Sequence, residues 1–151
     1  MEGEKMYFVD QQHIKETLEF TEEILKELDQ FKYDSVVEKF ALERMTQLII
    51  ESIIDVGNMM IDGFIMRDPG SYEDIIDILV DEEVLPELET DNYKEVIGLR
   101  DMLVKDYLQV NSQQLKETVL KNKSILDEFS AHIRNYLKKE SEVAHAFSNN
   151  K

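Results

Sequence analysis

The sequence predicts an all-α protein, an antiparallel bundle of about five helices, from three observations. Apolar residues recur at helical spacings of three and four along most of the chain. Residues suited to opening helices stand just ahead of several of those runs. The two prolines and most of the five glycines fall at the ends of the runs or beside a polar segment near residue 98, a placement that fits a helical bundle better than a sheet.

Asp10 is a plausible N-cap for a first amphipathic helix over roughly residues 10–30, carrying Ile14, Leu18, Leu25 and Leu28. Ser35 followed by Glu38 has the form of a capping box and opens the longest helix, about 30 residues, through Val36, Phe40, Met45, Leu48, Ile49, Ile53, Val56, Met60 and Phe64. That helix should stop before Arg67-Asp68-Pro69-Gly70, because Pro69 disfavours helical geometry at Asp68. Ser71 then caps a short third helix with Ile75, Ile76, Ile78 and Leu79, which ends in the acidic run from Asp81 to Glu83. Pro86 can start a further turn. Asp91 or Asn92 can cap a fourth helix bearing Val96, Leu99, Leu103 and Tyr107, which weakens near Val110-Asn111-Ser112. A fifth begins there, with Leu115, Val119, Leu126, Phe129, Ile133 and Leu137 on one face as far as about Lys139.

A chain of 151 residues fits one core, placed here over residues 1–139, and residues 140–151 lack sustained periodicity and read as a flexible tail. With no cysteine, disulfides, thiolate catalysis and cysteine zinc sites are excluded, and a reducing compartment is permitted. The acidic start lacks the basic and apolar regions of a secretory signal. The most apolar stretch, Leu48 to Met66, is interrupted by Glu51, Asp55 and Asp62, which reads as a buried soluble helix rather than a membrane span. These features together imply a cytoplasmic protein. The net charge of −16 opposes wholesale nucleic-acid binding, which depends on Lys and Arg displacing counterions. The charge is unevenly spread, however. Residues 1–99 carry 8 basic against 26 acidic side chains, a net of −18, and residues 100–151 carry 9 against 7, a net of +2. An acidic body with a locally basic end can still hold an anion.

The most informative stretch is Gly98-Leu99-Arg100-Asp101-Met102-Leu103-Val104-Lys105-Asp106-Tyr107. It resembles the R-x4-H-x-Y motif of the HepT-like ribonuclease toxins of the HEPN superfamily, matching at Gly98, Arg100, Asp101, Leu103, Val104 and Tyr107, with Lys105 where the family has histidine. The resemblance extends from Met6 over nearly the whole chain. It includes Glu43-Arg44 and Ile54-Asp55-Val56-Gly57-Asn58 on the long helix, the segment from Pro69 to Pro86, and the last amphipathic helix. It implies a HEPN-like dimer that cleaves RNA without metal at a cleft between protomers, with Arg100 on the scissile phosphate and residue 105 in proton transfer. It also implies a partner nucleotidyltransferase antitoxin that adenylylates Tyr107. No cofactor is implied.

Arginine suits phosphate through its fixed paired donors, and imidazole can exchange a proton near neutral pH. A lysine at position 105 is instead a cation without a lone pair, so activity is expected to be weakened or lost. Lys105 can equally form a helix-surface pair with Asp101, four residues earlier. Arg100 and Tyr107, seven apart, would share one helix face with Lys105 well round from both. Tyr107 also reads as a half-buried aromatic with a surface hydroxyl. Arg44, Gln47, Glu51, Asp55, Asn58 and Asp62 form a polar stripe on the long helix: either a solvated face, or a cleft lining in which Glu51 or Asp55 orients Arg100. Asp101, Glu51 and Asp55 are therefore cleft-lining candidates. The lone Glu142-x-x-His145 pair falls short of a carboxylate-bridged metal site, so no metal is expected, and His13 and His132 read as surface or core residues. Gly-rich phosphate loops and Ser-His-Asp constellations are absent. The alternative to a ribonuclease is a non-enzymatic helical dimer whose cleft binds a nucleotide, an RNA end or a protein.

Overall fold

The computed structural model describes residues 9–149; residues 1–8 of the expected domain and the last two positions of the expected tail lie outside the described residues. Among the described residues the chain is helical, with no strand. Helix α1 spans Gln11–Leu28, and the Asp10 carboxylate accepts from the His13 backbone N–H at 3.0 Å. Its buried face carries Ile14, Leu18, Leu25 and Leu28 at the expected spacing. Tyr33, in a left-handed conformation (φ 61°), turns the chain into α2, its phenol donating to the Leu28 carbonyl.

Helix α2, Val36–Gly63, is the central rod against which α1 and most of the later helices pack. Ser35 caps it through the Glu38 N–H at 3.1 Å, and the Glu38 carboxylate reaches back to the Asp34 N–H at 3.2 Å. Ile49, Ile50, Val56 and Met60 are fully buried, each contributing roughly 1.5–3 kcal/mol by leaving water. The helix ends through Ile65 in the left-handed region (φ 54°), a place glycine usually fills, with Met66 N–H closing on the Ile61 carbonyl at 2.9 Å.

Helix α3, Tyr72–Asp81, is capped by Ser71 and buries Ile75, Ile76, Ile78 and Leu79. It lies so close to α2 that a Cβ on Gly57 would overlap Cγ2 of Ile75. Ahead of it, Asp74 accepts from both Nη groups of Arg67, at 2.7 and 2.8 Å, and from the Gly70 N–H at 2.8 Å. These donors latch the Pro69-Gly70-Ser71 turn onto the helix and lower the Asp74 carboxyl to about 2, the Arg67 hydrogen bonds contributing most.

The expected fourth helix is broken. A 3-10 turn at Glu87–Glu89 runs straight into α4, Thr90–Ile97, so neither Asp91 nor Asn92 serves as cap; Asn92 instead donates to Asn122 at 2.9 Å. Gly98 and Leu99 form a tighter turn with a Leu99 N–H to Val96 carbonyl bond of 3.1 Å, and α5 occupies only Arg100–Val104. It closes with Asp106 N–H on the Asp101 carbonyl, five residues back, and Tyr107–Gln109 form a separate 3-10 turn. The expected fifth helix is also two, α6 (Ser112–Lys121) and α7 (Lys123–Asn149), joined at the fully buried Asn122. The Asn122 side chain donates to the Thr118 carbonyl at 2.8 Å and to Glu95 at 3.2 Å, which satisfies it inside the bundle. Helix α7 continues past Lys139, where the apolar periodicity ends, to Asn149. Among the described residues, no helix is long and apolar enough to cross a membrane.

Candidate functional site

Arg100 opens α5 immediately after the Gly98-Leu99 turn and reaches across to two other helices. Its Nε donates to Oε1 of Glu51 on α2 at 2.7 Å, and its guanidinium carbon stands 4.6 Å from the ring centroid of Tyr72, the first residue of α3. The hydrogen bond to Glu51 is the main cause that raises the Arg100 pKa, outweighing the lowering effect of desolvation. Since a guanidinium is charged at any physiological pH, the pair acts on orientation rather than charge state. The side chain is 21% exposed, and among the described residues neither Nη group has a hydrogen-bond partner. The group is thus fixed on one edge and one face while its Nη donors remain open.

Arg100 lines a groove of about 440 Å³ with Asn58 of α2, the Gly70-Ser71-Tyr72 turn, Glu73, Gly98, Asp101 and Lys105. Lys105, the C-cap of α5, sits 3.5 Å from Asp101, and both side chains are largely exposed. Two cations therefore line one groove, each paired with a carboxylate and with Glu73 beside them, so the open edge of Arg100 is the part suited to a phosphate or carboxylate.

The structure brings together part of what the sequence nominated. Of the two carboxylates offered for Arg100, Glu51 meets it; Asp55 is exposed and lines a second groove with His13 and Glu51 itself. The stripe on α2 thus splits, with Glu51 and Asn58 turned toward Arg100. The shared helix face expected for Arg100 and Tyr107 does not exist. The helix ends between them, so seven-residue superposition fails: Tyr107 stands 63% exposed on its own 3-10 turn, while Lys105, expected well round from Arg100, lines the same groove. Tyr72 was not legible as part of this site. It carries no motif, and only the packing of α3 at Gly57 brings residue 72 beside residue 100.

His132 bonds Glu89 at 3.0 Å and lines a larger cavity of about 650 Å³ with Pro86, Tyr136 and Lys139, which contains none of the motif residues. Among the described residues, no three His, Cys, Asp or Glu side chains are grouped to hold a metal ion.

Fold and groove together define a helical-bundle protein with an arginine fixed in the wall of an open polar groove. The chain belongs to the Ribonuclease HepT-like family, whose model matches residues 11–133. It is 47% identical over 143 residues to "Putative RNase YutE" of Bacillus subtilis (strain 168), covering 94% of this chain and 99% of that protein. A solved structure described as a cytosolic protein of unknown function, YutE from Bacillus subtilis, superposes with a TM-score of 0.86, covering 88% of this chain and 94% of that one. A chain from a crystal structure of a toxin–antitoxin with AMP-PNP shares the fold at a TM-score of 0.70 and 19% identity, covering 80% of this chain and 96% of that one.

Proposed function

We propose that this chain is the toxin member of a toxin–antitoxin pair, a cytoplasmic homodimer that acts on RNA without a metal, with activity weakened by Lys105. The single observation that carries this reading is the Arg100 guanidinium, held by Glu51 and Tyr72 with its Nη donors facing a groove that also holds Lys105. Such a donor pair matches two oxygens of a phosphodiester and stabilises the charge that builds on them as the ribose 2′-oxygen attacks. Val36, Val37 and Phe40, each at least 63% exposed at the start of α2, support a second copy covering that end. The high exposure of Tyr107 supports its modification by a nucleotidyltransferase antitoxin, the kind of partner the family resemblance implies.

No imidazole lines the groove among the described residues and a lysine cation has no lone pair, which leaves the Asp101 and Glu73 carboxylates, weaker bases than imidazole, to take the 2′-hydroxyl proton. That observation favours a second reading, a non-enzymatic dimer that binds a nucleotide, an RNA end or a protein at the same groove.

Lys105→His separates the two. A positioned general base is worth about 10²–10⁴-fold, so the variant should cleave RNA well above the native protein, in chelator, and Arg100→Ala in that background should abolish the gain. A Lys105→His protein that binds RNA and remains inert supports the binding reading.

A further inference from the structure

We propose that Tyr72 is a positioning residue, one that sets the plane of the Arg100 guanidinium so that both Nη groups address a phosphate in the groove. This rests on reading Arg100 as the phosphate contact. A single bond from Nε to Glu51 restrains one direction and leaves the guanidinium able to tip about that axis. The aromatic face at 4.6 Å removes the remaining freedom, because a cation over a ring loses attraction when its plane swings away. Edge and face are thus held by two helices, α2 and α3, and the arginine itself comes from a third.

Tyr72 is itself held. It follows the Ser71 cap directly, and the turn before it is fastened by Asp74 to the Gly70 N–H at 2.8 Å and to both Nη groups of Arg67. The close approach of α3 to α2 at Gly57 sets how far the ring stands from Glu51. The guanidinium is therefore oriented before any anion arrives, and binding need not spend its gain on ordering a long flexible side chain. Tyr72 is 45% exposed at the groove wall, so it is not a core residue retained only for packing.

Uridine 3′-monophosphate, a ribose-phosphate unit with no scissile bond, is the probe, titrated into the full chain by calorimetry at low salt. Tyr72→Phe should bind within about twofold of the native protein and Tyr72→Leu about 5–30-fold more weakly, the upper part of the range spanned by exposed and desolvated cation–π contacts. Arg100→Ala should lose the binding. The native Arg100 Nε–H resonance, assigned by its absence in Arg100→Lys, should move downfield in Tyr72→Leu, where the ring-current shielding of Tyr72 is lost while the bond to Glu51 stays. If Arg100→Ala binds as well as the native protein, Arg100 is not the phosphate contact, and the reading beneath this proposal falls with it. If Arg100→Ala loses binding and Tyr72→Leu keeps it, only the role of Tyr72 is refuted. Should Tyr72→Leu fail to fold, the absence of nuclear Overhauser contacts between the Arg100 side chain and the Tyr72 ring protons in the native protein refutes the stacking by itself.

Discussion

Gly57→Ala tests whether the approach of α3 to α2 is as tight as the geometry requires. Two effects compete at this position. Alanine is the better helix former, which favours the variant by about 0.8–1.0 kcal/mol in a helix interior. Against that, the new methyl would overlap Cγ2 of Ile75, 1% exposed, and lie 3.6 Å from Cδ1 of Leu79, so a β-branched side chain in the core must shift or the helices must part. Overpacking of that kind costs about 1–3 kcal/mol. The clash should win, leaving the variant less stable by up to about 2 kcal/mol, which for a domain of this size lowers Tm by up to roughly 8 °C. Urea denaturation at pH 7 measures it, and Ile75→Ala, which removes Cγ2, provides the second arm of a cycle. The double variant should be more stable than additivity predicts by about 1 kcal/mol, because the methyl then fills the space vacated. A Gly57→Ala protein more stable than the parent by the full helix-propensity gain would refute the close approach, and with it the geometry that brings Tyr72 to Arg100.

Ile65→Gly should raise stability by about 1 kcal/mol, since the left-handed backbone at this 68% exposed position strains a β-branched residue and little packing is lost; an unchanged or lowered thermal midpoint would argue against it. The Asp74 latch has a defined acid window. Its folded-state pKa of about 2 lies below the ordinary 3.8, so its contribution is complete above pH 4 and disappears as pH falls through 2. The gap in urea midpoint between the native protein and Asp74→Asn should accordingly be constant from pH 5 to 7 and close between about pH 4 and 2, and a gap independent of pH would show that the latch contributes through something other than charge.

Much of the fold could be read from the sequence, because helix starts and apolar stripes are local signals. Asp10, Ser35 and Ser71 cap the helices they were expected to cap, and the residues expected inside α1 and α3 are buried there. The breaks at Gly98-Leu99 and Asn122 were less visible. Neither interrupts the apolar pattern: Leu99 and Leu103 remain buried in and after the first, and Asn122 is satisfied by Thr118 one turn back and by Asn92 and Glu95 from distant positions. The site followed the same division. Glu51 could be offered as a partner for Arg100 because polar residues on an apolar rod need an explanation, whereas Tyr72 depends on how two helices cross, a non-local fact. Reading Arg100 and Tyr107 as one face failed for the same reason, since it assumed a continuous helix where the backbone turns.

The position of residue 105 at the frayed end of a five-residue helix has a consequence for how such a chain can change over generations. Its side chain is 69% exposed and pairs with an equally exposed Asp101, so the bundle places little demand on what stands there. Arg100, by contrast, is bound into the crossing of α2 and α3, where exchange would leave the Glu51 carboxylate without its partner. If the proposed function holds, selection can retune or silence chemistry at this groove through one lightly constrained codon, and restore it by the same route, while Arg100 is inherited along with the fold.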